Sequence, residues 1–201
     1  HWFFITSLEV QAAPTTKAIV TFGDSITDGY GVTPDTNTRW PDTLARRLTA
    51  AGMDRPVLNS GIGGNRLLLD GLGPNALARF DREVLTQPGV GYVIVLEGVN
   101  DLGMLTRDAP ATPEAHAELV ANMIMAYSQI IERAHAHGIR IYGATIMPFH
   151  NDYYHPTAEN EADRQAVNAW IREKSGFDAI IDFDAALRDP ADPGRLNPAY
   201  D

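Results

Sequence analysis

Three short segments carry side chains that could do chemistry together. Gly23-Asp24-Ser25-Ile26-Thr27-Asp28-Gly29 sets a serine between two glycines, Asn59-Ser60-Gly61-Ile62-Gly63-Gly64-Asn65 is dense in glycine, and Gly98-Val99-Asn100-Asp101 offers an amide beside a carboxylate. A serine hydroxyl becomes a nucleophile once a base takes its proton. A glycine loop can turn backbone N–H groups toward an anion, and a side-chain amide adds another donor. That set is what acyl transfer requires. Singly, each segment has a plainer reading. Ser25 serves equally well as a helix cap, and Asn100 as a loop-capping residue. The glycine loop could be a tight turn, though a turn needs one glycine rather than three. The combination points to chemistry. The Gly-x-Ser-x-Gly elbow of α/β-hydrolases is not met, because Gly23 lies two before Ser25 but Thr27 lies two after.

A general base must be sought among six histidines. His1 is terminal. His116, His135 and His137 fall on a long helical stretch, where the last two gain from the helix dipole and read as solvated. Two residues apart, His135 and His137 diverge and make a poor metal pair. His150 and His155 follow a strand, and Asp152-Tyr153-Tyr154-His155-Pro156 spells Asp-x-x-His-Pro. This makes His155, oriented by Asp152, a candidate base pair. Asp24, Asp28, Asp70 and Asp101 are dispersed and read as caps and turns. Neither a metal nor an organic cofactor is expected.

The elements that must position these residues alternate between short apolar runs and helical patterns, the sign of βαβ units on a parallel sheet. Strands are expected at Ala18–Phe22, Pro56–Leu58, Tyr92–Leu96 and Ile139–Thr145, with a shorter fifth at Ala179–Phe183. Pro41 starts a helix with Leu44 and Leu48 inward. Thr112 and Pro113 start a long one that runs to His137 and stops at Gly138, burying Leu119, Met123, Ile124, Ile130, Ile131 and Ala134. A further helix follows Thr157 with Ala166, Val167, Trp170 and Ile171 inward. In such a sheet ligands bind beyond the carboxyl ends of the strands. Each of the three segments follows a strand.

The whole chain limits the partners. Its 201 residues, 44% of them hydrophobic, suffice for one well-cored domain. A formal charge of −10 with no basic run argues against nucleic acid and anionic membranes, and favours a neutral or sugar-like substrate. Without cysteine there are no disulfides, thiolate metal sites or cysteine nucleophiles. No apolar run reaches the roughly 18 to 20 residues of a membrane span. Trp2 to Ala13 ends in small residues like a signal peptide, but it lacks a basic leader and carries Glu9, so it reads as an extended segment. Oligomeric state is not legible.

The strings GDSITDG, NSGIGG and GVND, in this order and each after a strand, resemble the first three sequence blocks of SGNH (GDSL) hydrolases. That resemblance implies a three-layer α/β/α fold with a five-stranded, mainly parallel, flavodoxin-like sheet. It makes Ser25 the nucleophile, with the N–H groups of Ser25 and Gly61 and the amide of Asn100 as the oxyanion hole. NTRWPDTLARRL, GIGGNRLLLDGLGPNALA and VIVLEGVNDLG are similar to a bacterial branch of arylesterases and acylhydrolases, some associated with xylan breakdown. The branch implies a secreted or periplasmic enzyme acting on acetyl esters of carbohydrates. Its β-rich preceding domain would make residues 1–16 the remnant of a linker and 17–201 the hydrolase domain. The family's fourth block, Asp-x-x-His, is expected where the chain stops at Asp201, so this reading puts the base and closing helix beyond it, with the 201-residue chain alone nearly inactive. Rival expectations are a thioesterase or lysophospholipase, and a catalytically silent fragment that binds carbohydrate or a partner.

Overall fold

The computed structural model describes residues 8–150 and 153–200. Five strands form one sheet: β1 (Ala18–Gly23), β2 (Val57–Gly61), β3 (Val90–Leu96), β4 (Arg140–Ala144) and β5 (Ala179–Ile181). Their order is β2-β1-β3-β4-β5 and every pairing is parallel. The sheet is therefore wholly rather than mainly parallel. Between the strands run α1 (Ser25–Asp28), α2 (Trp40–Ala50), α3 (Ala76–Phe80) with a π-helical turn at Asp81–Leu85, α4 (Val99–Thr106), α5 (Pro113–Ala136), α6 (Ala158–Glu173) and α7 (Phe183–Leu187). Residues 8–16 form neither helix nor strand and are almost wholly exposed.

Right-handed crossovers explain the layers. From β1 to β2 the chain moves one way along the sheet, and from β3 to β4 to β5 the other way, so α2 falls on one face and α5 and α6 on the opposite one. Trp40 of α2 meets Phe183 of α7 with ring centres 6.0 Å apart. On the other face α5 packs against α3, α4, α6 and β4. The central strands β1 and β3 supply Val20, Phe22, Val93 and Val95 to a core closed by Met123, Tyr127, Ile130 and Ile131 of α5.

Local chemistry sets the boundaries. Thr112 caps α5 by accepting from the Ala115 N–H, Pro113 occupies its first position, and Gly138 takes φ 68° beyond its end. Strand β2 runs further than its apolar residues, because Asn59, Ser60 and Gly61 pair with Thr21, Phe22 and Gly23 of β1. β5 stops at Ile181, since Asp182 turns to cap α7. In α6 the inward stripe differs from expectation. Ala166 is exposed, and the buried face is Asn160, Asp163, Arg164, Val167, Asn168 and Ile171. Its polar members are paired: Arg164 donates to Asp184 at 2.7 Å, and Asn168 both accepts from the Ile146 N–H and donates to the Ile146 carbonyl. Leu44 and Leu48 are only half-buried on α2.

Candidate active site

Ser25 is the first residue of α1, immediately past the end of β1. Asp24 caps the turn by accepting from the Ile26 N–H at 2.9 Å, and Gly29 closes it at φ 107°. As the first helical residue, Ser25 has an N–H with no partner inside the helix. Other elements hold the turn down. Asn59 Nδ2 donates to the Thr27 carbonyl at 2.8 Å, Arg39 Nε to the Asp28 carbonyl at 2.6 Å, and Trp40 Nε1 to Thr27 Oγ1 at 3.3 Å.

Gly61, the last residue of β2, lies against that turn. A Cβ there would be 2.2 Å from the Asp28 nitrogen and 2.6 Å from the Thr27 carbonyl carbon, so no side chain fits. Its N–H donates to Asn59 Oδ1 at 2.9 Å. Gly63 and Gly64 form the next turn, closed by the Asn65 N–H on the Ile62 carbonyl at 3.1 Å. Neither glycine's N–H is bonded to a described residue.

Asn100, buried in the first turn of α4 after β3, is the meeting point of two loops. Its Nδ2 donates to the Asn65 carbonyl at 2.6 Å, and its Oδ1 accepts from the Tyr154 hydroxyl. The neighbouring Asp101 accepts from the N–H groups of Leu67 at 2.7 Å and Leu68 at 3.0 Å, which ties the glycine loop to α4.

Beneath these loops sits a charge cluster that sequence reasoning missed. Arg79 of α3, fully buried, donates to the Gly23 carbonyl at 2.9 Å, the Ser60 carbonyl at 2.8 Å, Asn65 Oδ1 at 2.8 Å and Glu97 Oε1 at 3.1 Å, and also to Glu83. One guanidinium thus joins the carboxyl ends of β1, β2 and β3. Ala76, Arg79 and Phe80 share the buried face of α3, and this spacing, with a charge inside an apolar stripe, was the available signal. Glu97 Oε2 has no partner among the described residues. Burial, then the nearby Asp24 charge, pushes the Glu97 carboxyl well above its usual range. Burial also lifts Asp24 to about 7, and Asp101 to about 6 despite the two amides it accepts. Burial is the first cause in all three, and the nearby cations, Arg79 for Asp24 and Glu97 and Arg66 for Asp101, offset it only in part.

The candidate base pair is placed differently. Asp152 lies outside the described residues. His155 is exposed at φ 47° after β4, and no hydrogen bond joins it to Ser25 or to any other described residue. Its neighbour Tyr154, not singled out before, is the residue of that loop that reaches Asn100. His116 is buried against Asp163, joining α5 to α6, and His135 bonds Asp178 at 3.1 Å. Asp70 accepts from both the backbone N–H and the Nδ2 of Asn75 at 2.8 Å, a turn function. Among the described residues no three of His, Asp and Glu cluster as a metal site would require.

Ser25, the glycine loop and Asn100 therefore meet past the ends of three adjacent strands, an arrangement suited to attack on a carbonyl and stabilisation of the resulting oxyanion. A model of the GDSL-like Lipase/Acylhydrolase family matches residues 21–201. No curated protein matches the chain. Among solved structures, AlinE4, described as an SGNH-hydrolase family esterase, aligns with a TM-score of 0.62 at 22% identity, covering 87% of this chain and 80% of its own. A GDSL-like lipase from Bacteroides thetaiotaomicron aligns at 0.66 and 18% identity over 96% of this chain and 80% of that one. An acetyl xylan esterase, AlAXEase, aligns at 0.59 and 18% identity over 90% and 91%. At such identities these likenesses establish a common fold.

Proposed function

The chain belongs to the GDSL-like Lipase/Acylhydrolase family and is an esterase of the SGNH type; from that premise we propose that Ser25 is its nucleophile and that it cleaves short acyl esters, acetyl groups on carbohydrates above all. Ser25 Oγ attacks the ester carbonyl carbon while a histidine takes its proton, and the carbonyl electron pair moves onto oxygen. The Ser25 N–H, Asn100 Nδ2 and an amide of the glycine loop hold that oxyanion. Its collapse breaks the bond to the alcohol, which leaves with the proton, and water then releases the acid from Ser25 by the same steps. For the loop donor we assign the Gly63–Gly64 turn in place of Gly61, whose N–H Asn59 already occupies. Gly61 then serves close packing. None of the described histidines bonds Ser25, and we treat His155, exposed after β4, as a cleft residue.

The convergence of nucleophile, glycine loop and amide on three adjacent strand ends carries this reading. The preference for carbohydrate esters draws support from the net charge of −10, the branch-like flanking sequences and the acetyl xylan esterase among the fold's neighbours. Exposed Tyr30, whose N–H bonds the Ser25 carbonyl, offers a flat face for a sugar ring. Exposed Leu69 and Leu72, in the segment that follows the glycine loop, favour a second reading, a longer apolar acyl chain as in a thioesterase or lysophospholipase. Stopped-flow mixing of the full-length protein with p-nitrophenyl acetate should give a burst of nitrophenol equal to the enzyme. Acetate should be released from acetylated xylan. A kcat/KM that climbs steeply from acetyl to octanoyl esters favours the second reading, and no burst or turnover with any ester returns the chain to a binding role.

A further inference from the structure

An asparagine amide has two ends of almost equal size and opposite function. If Asn100 were flipped about its last torsion, Oδ1 would stand where a donor is needed and would repel an oxyanion. Two partners decide the orientation. The Asn65 carbonyl accepts from Nδ2, and the Tyr154 hydroxyl donates to Oδ1. The first uses one of the two Nδ2 protons and leaves the other for the site. The second comes from the loop after β4, across the neighbouring strand.

Tyr154 is built to hold that hydroxyl still. Its ring is buried, meets Phe149 edge-on with centres 6.0 Å apart, and lies on Gly103, where a Cβ would sit 2.4 Å from the ring. Gly103 is one turn of α4 beyond Asn100, so the missing side chain there opens the slot through which the tyrosine reaches the amide. We propose that Tyr154 is a positioning residue for ester hydrolysis: its hydroxyl fixes the Asn100 amide with Nδ2 toward the reacting carbonyl and, by donating to Oδ1, polarises the amide into a stronger donor. Burial raises the Tyr154 hydroxyl to about 12, so it remains a donor across the neutral range.

The proposal rests on Asn100 being an oxyanion donor, and a double-mutant cycle separates the two ideas. In the full-length protein with p-nitrophenyl acetate, Asn100→Ala should lower kcat about a hundred- to a thousandfold. Tyr154→Phe keeps the ring and removes only the hydroxyl. It should lower kcat about tenfold, the worth of one hydrogen bond, with KM little changed and the thermal midpoint lower by only about 2 to 4 °C. In the Asn100→Ala background the same substitution should change nothing, because the group it orients is gone. A normal kcat in Tyr154→Phe while Asn100→Ala is crippled overturns the role of Tyr154 alone. So does a further tenfold loss in the double variant. Undiminished kcat in Asn100→Ala overturns the donor reading itself, and the proposal with it.

Discussion

Ser25 stands next to a carboxyl group that burial keeps partly protonated up to neutrality, and this has a measurable sign. Asp24 titrates at about 7 in the folded protein against an ordinary 3.8. The folded chain therefore holds a proton that the unfolded chain has released. Its contribution to stability is full below pH 4 and is lost as pH rises toward 7. Asp182 runs the other way: Arg172 holds it near 2, so its contribution is present above pH 4 and is lost as pH falls through 2. Asp24→Asn, which keeps an equally good helix cap, should flatten the decline in stability between pH 4 and 7, measured by urea unfolding at both ends of that window. An unchanged decline would place the titrating group elsewhere. His155 is the other residue-scale test. In the full-length protein His155→Ala should keep most of the esterase activity, and loss of nearly all of it at unchanged KM would make His155 the base.

Elements are tied together at the catalytic edge by Arg79, which bonds the ends of β1 and β2 and the Glu97 that follows β3. Arg79→Leu leaves Glu97 and two strand-end carbonyls without their donor, and should destabilise the fold by about 3 to 5 kcal/mol. Arg79→Lys should recover little, because a point-like ammonium cannot span those acceptors. Urea denaturation reads both, and a loss below about 1 kcal/mol for Arg79→Leu would mean the cluster is not structural. The same elements show what sequence can and cannot reveal. The strands were legible because β1, β3 and β4 are apolar and buried, and α5 because Thr112-Pro113 and Gly138 mark its ends. The expected end of β2 fell short because Asn59, Ser60 and Gly61 look like a loop. Gly61, expected as a donor in a loop, lies in the ladder, with its N–H on Asn59 Oδ1 and its α-carbon against α1. The stripe of α6 was misjudged at Ala166 because hydropathy keeps Arg164 outside, whereas its partner Asp184 lies 20 residues ahead. Ser25 and Asn100 could be proposed from the sequence because each lies in a short segment that follows a strand. Tyr154 and Arg79 went unnoticed because their partners come together only through the fold.

The molecule as a whole brings its chemistry to one edge of a parallel sheet and keeps a net charge of −10. Among the described residues no helix is long and apolar enough to cross a membrane. Neutral esters carried on sugars suit that charge better than anionic lipids, so turnover of acetylated xylo-oligosaccharides should respond little to added salt, whereas any turnover of anionic phospholipid should rise as salt screens the repulsion. The proposed ester hydrolysis depends on Ser25 being the nucleophile. The most direct measurement is to treat the full-length protein with an organophosphonate, weigh it intact and map the modified peptide. One adduct per chain on Ser25, loss of esterase activity in proportion to labelling, and neither adduct nor turnover in Ser25→Ala are the results predicted. An adduct that persists in Ser25→Ala, or ester turnover that survives the substitution, would rule out Ser25 as the nucleophile.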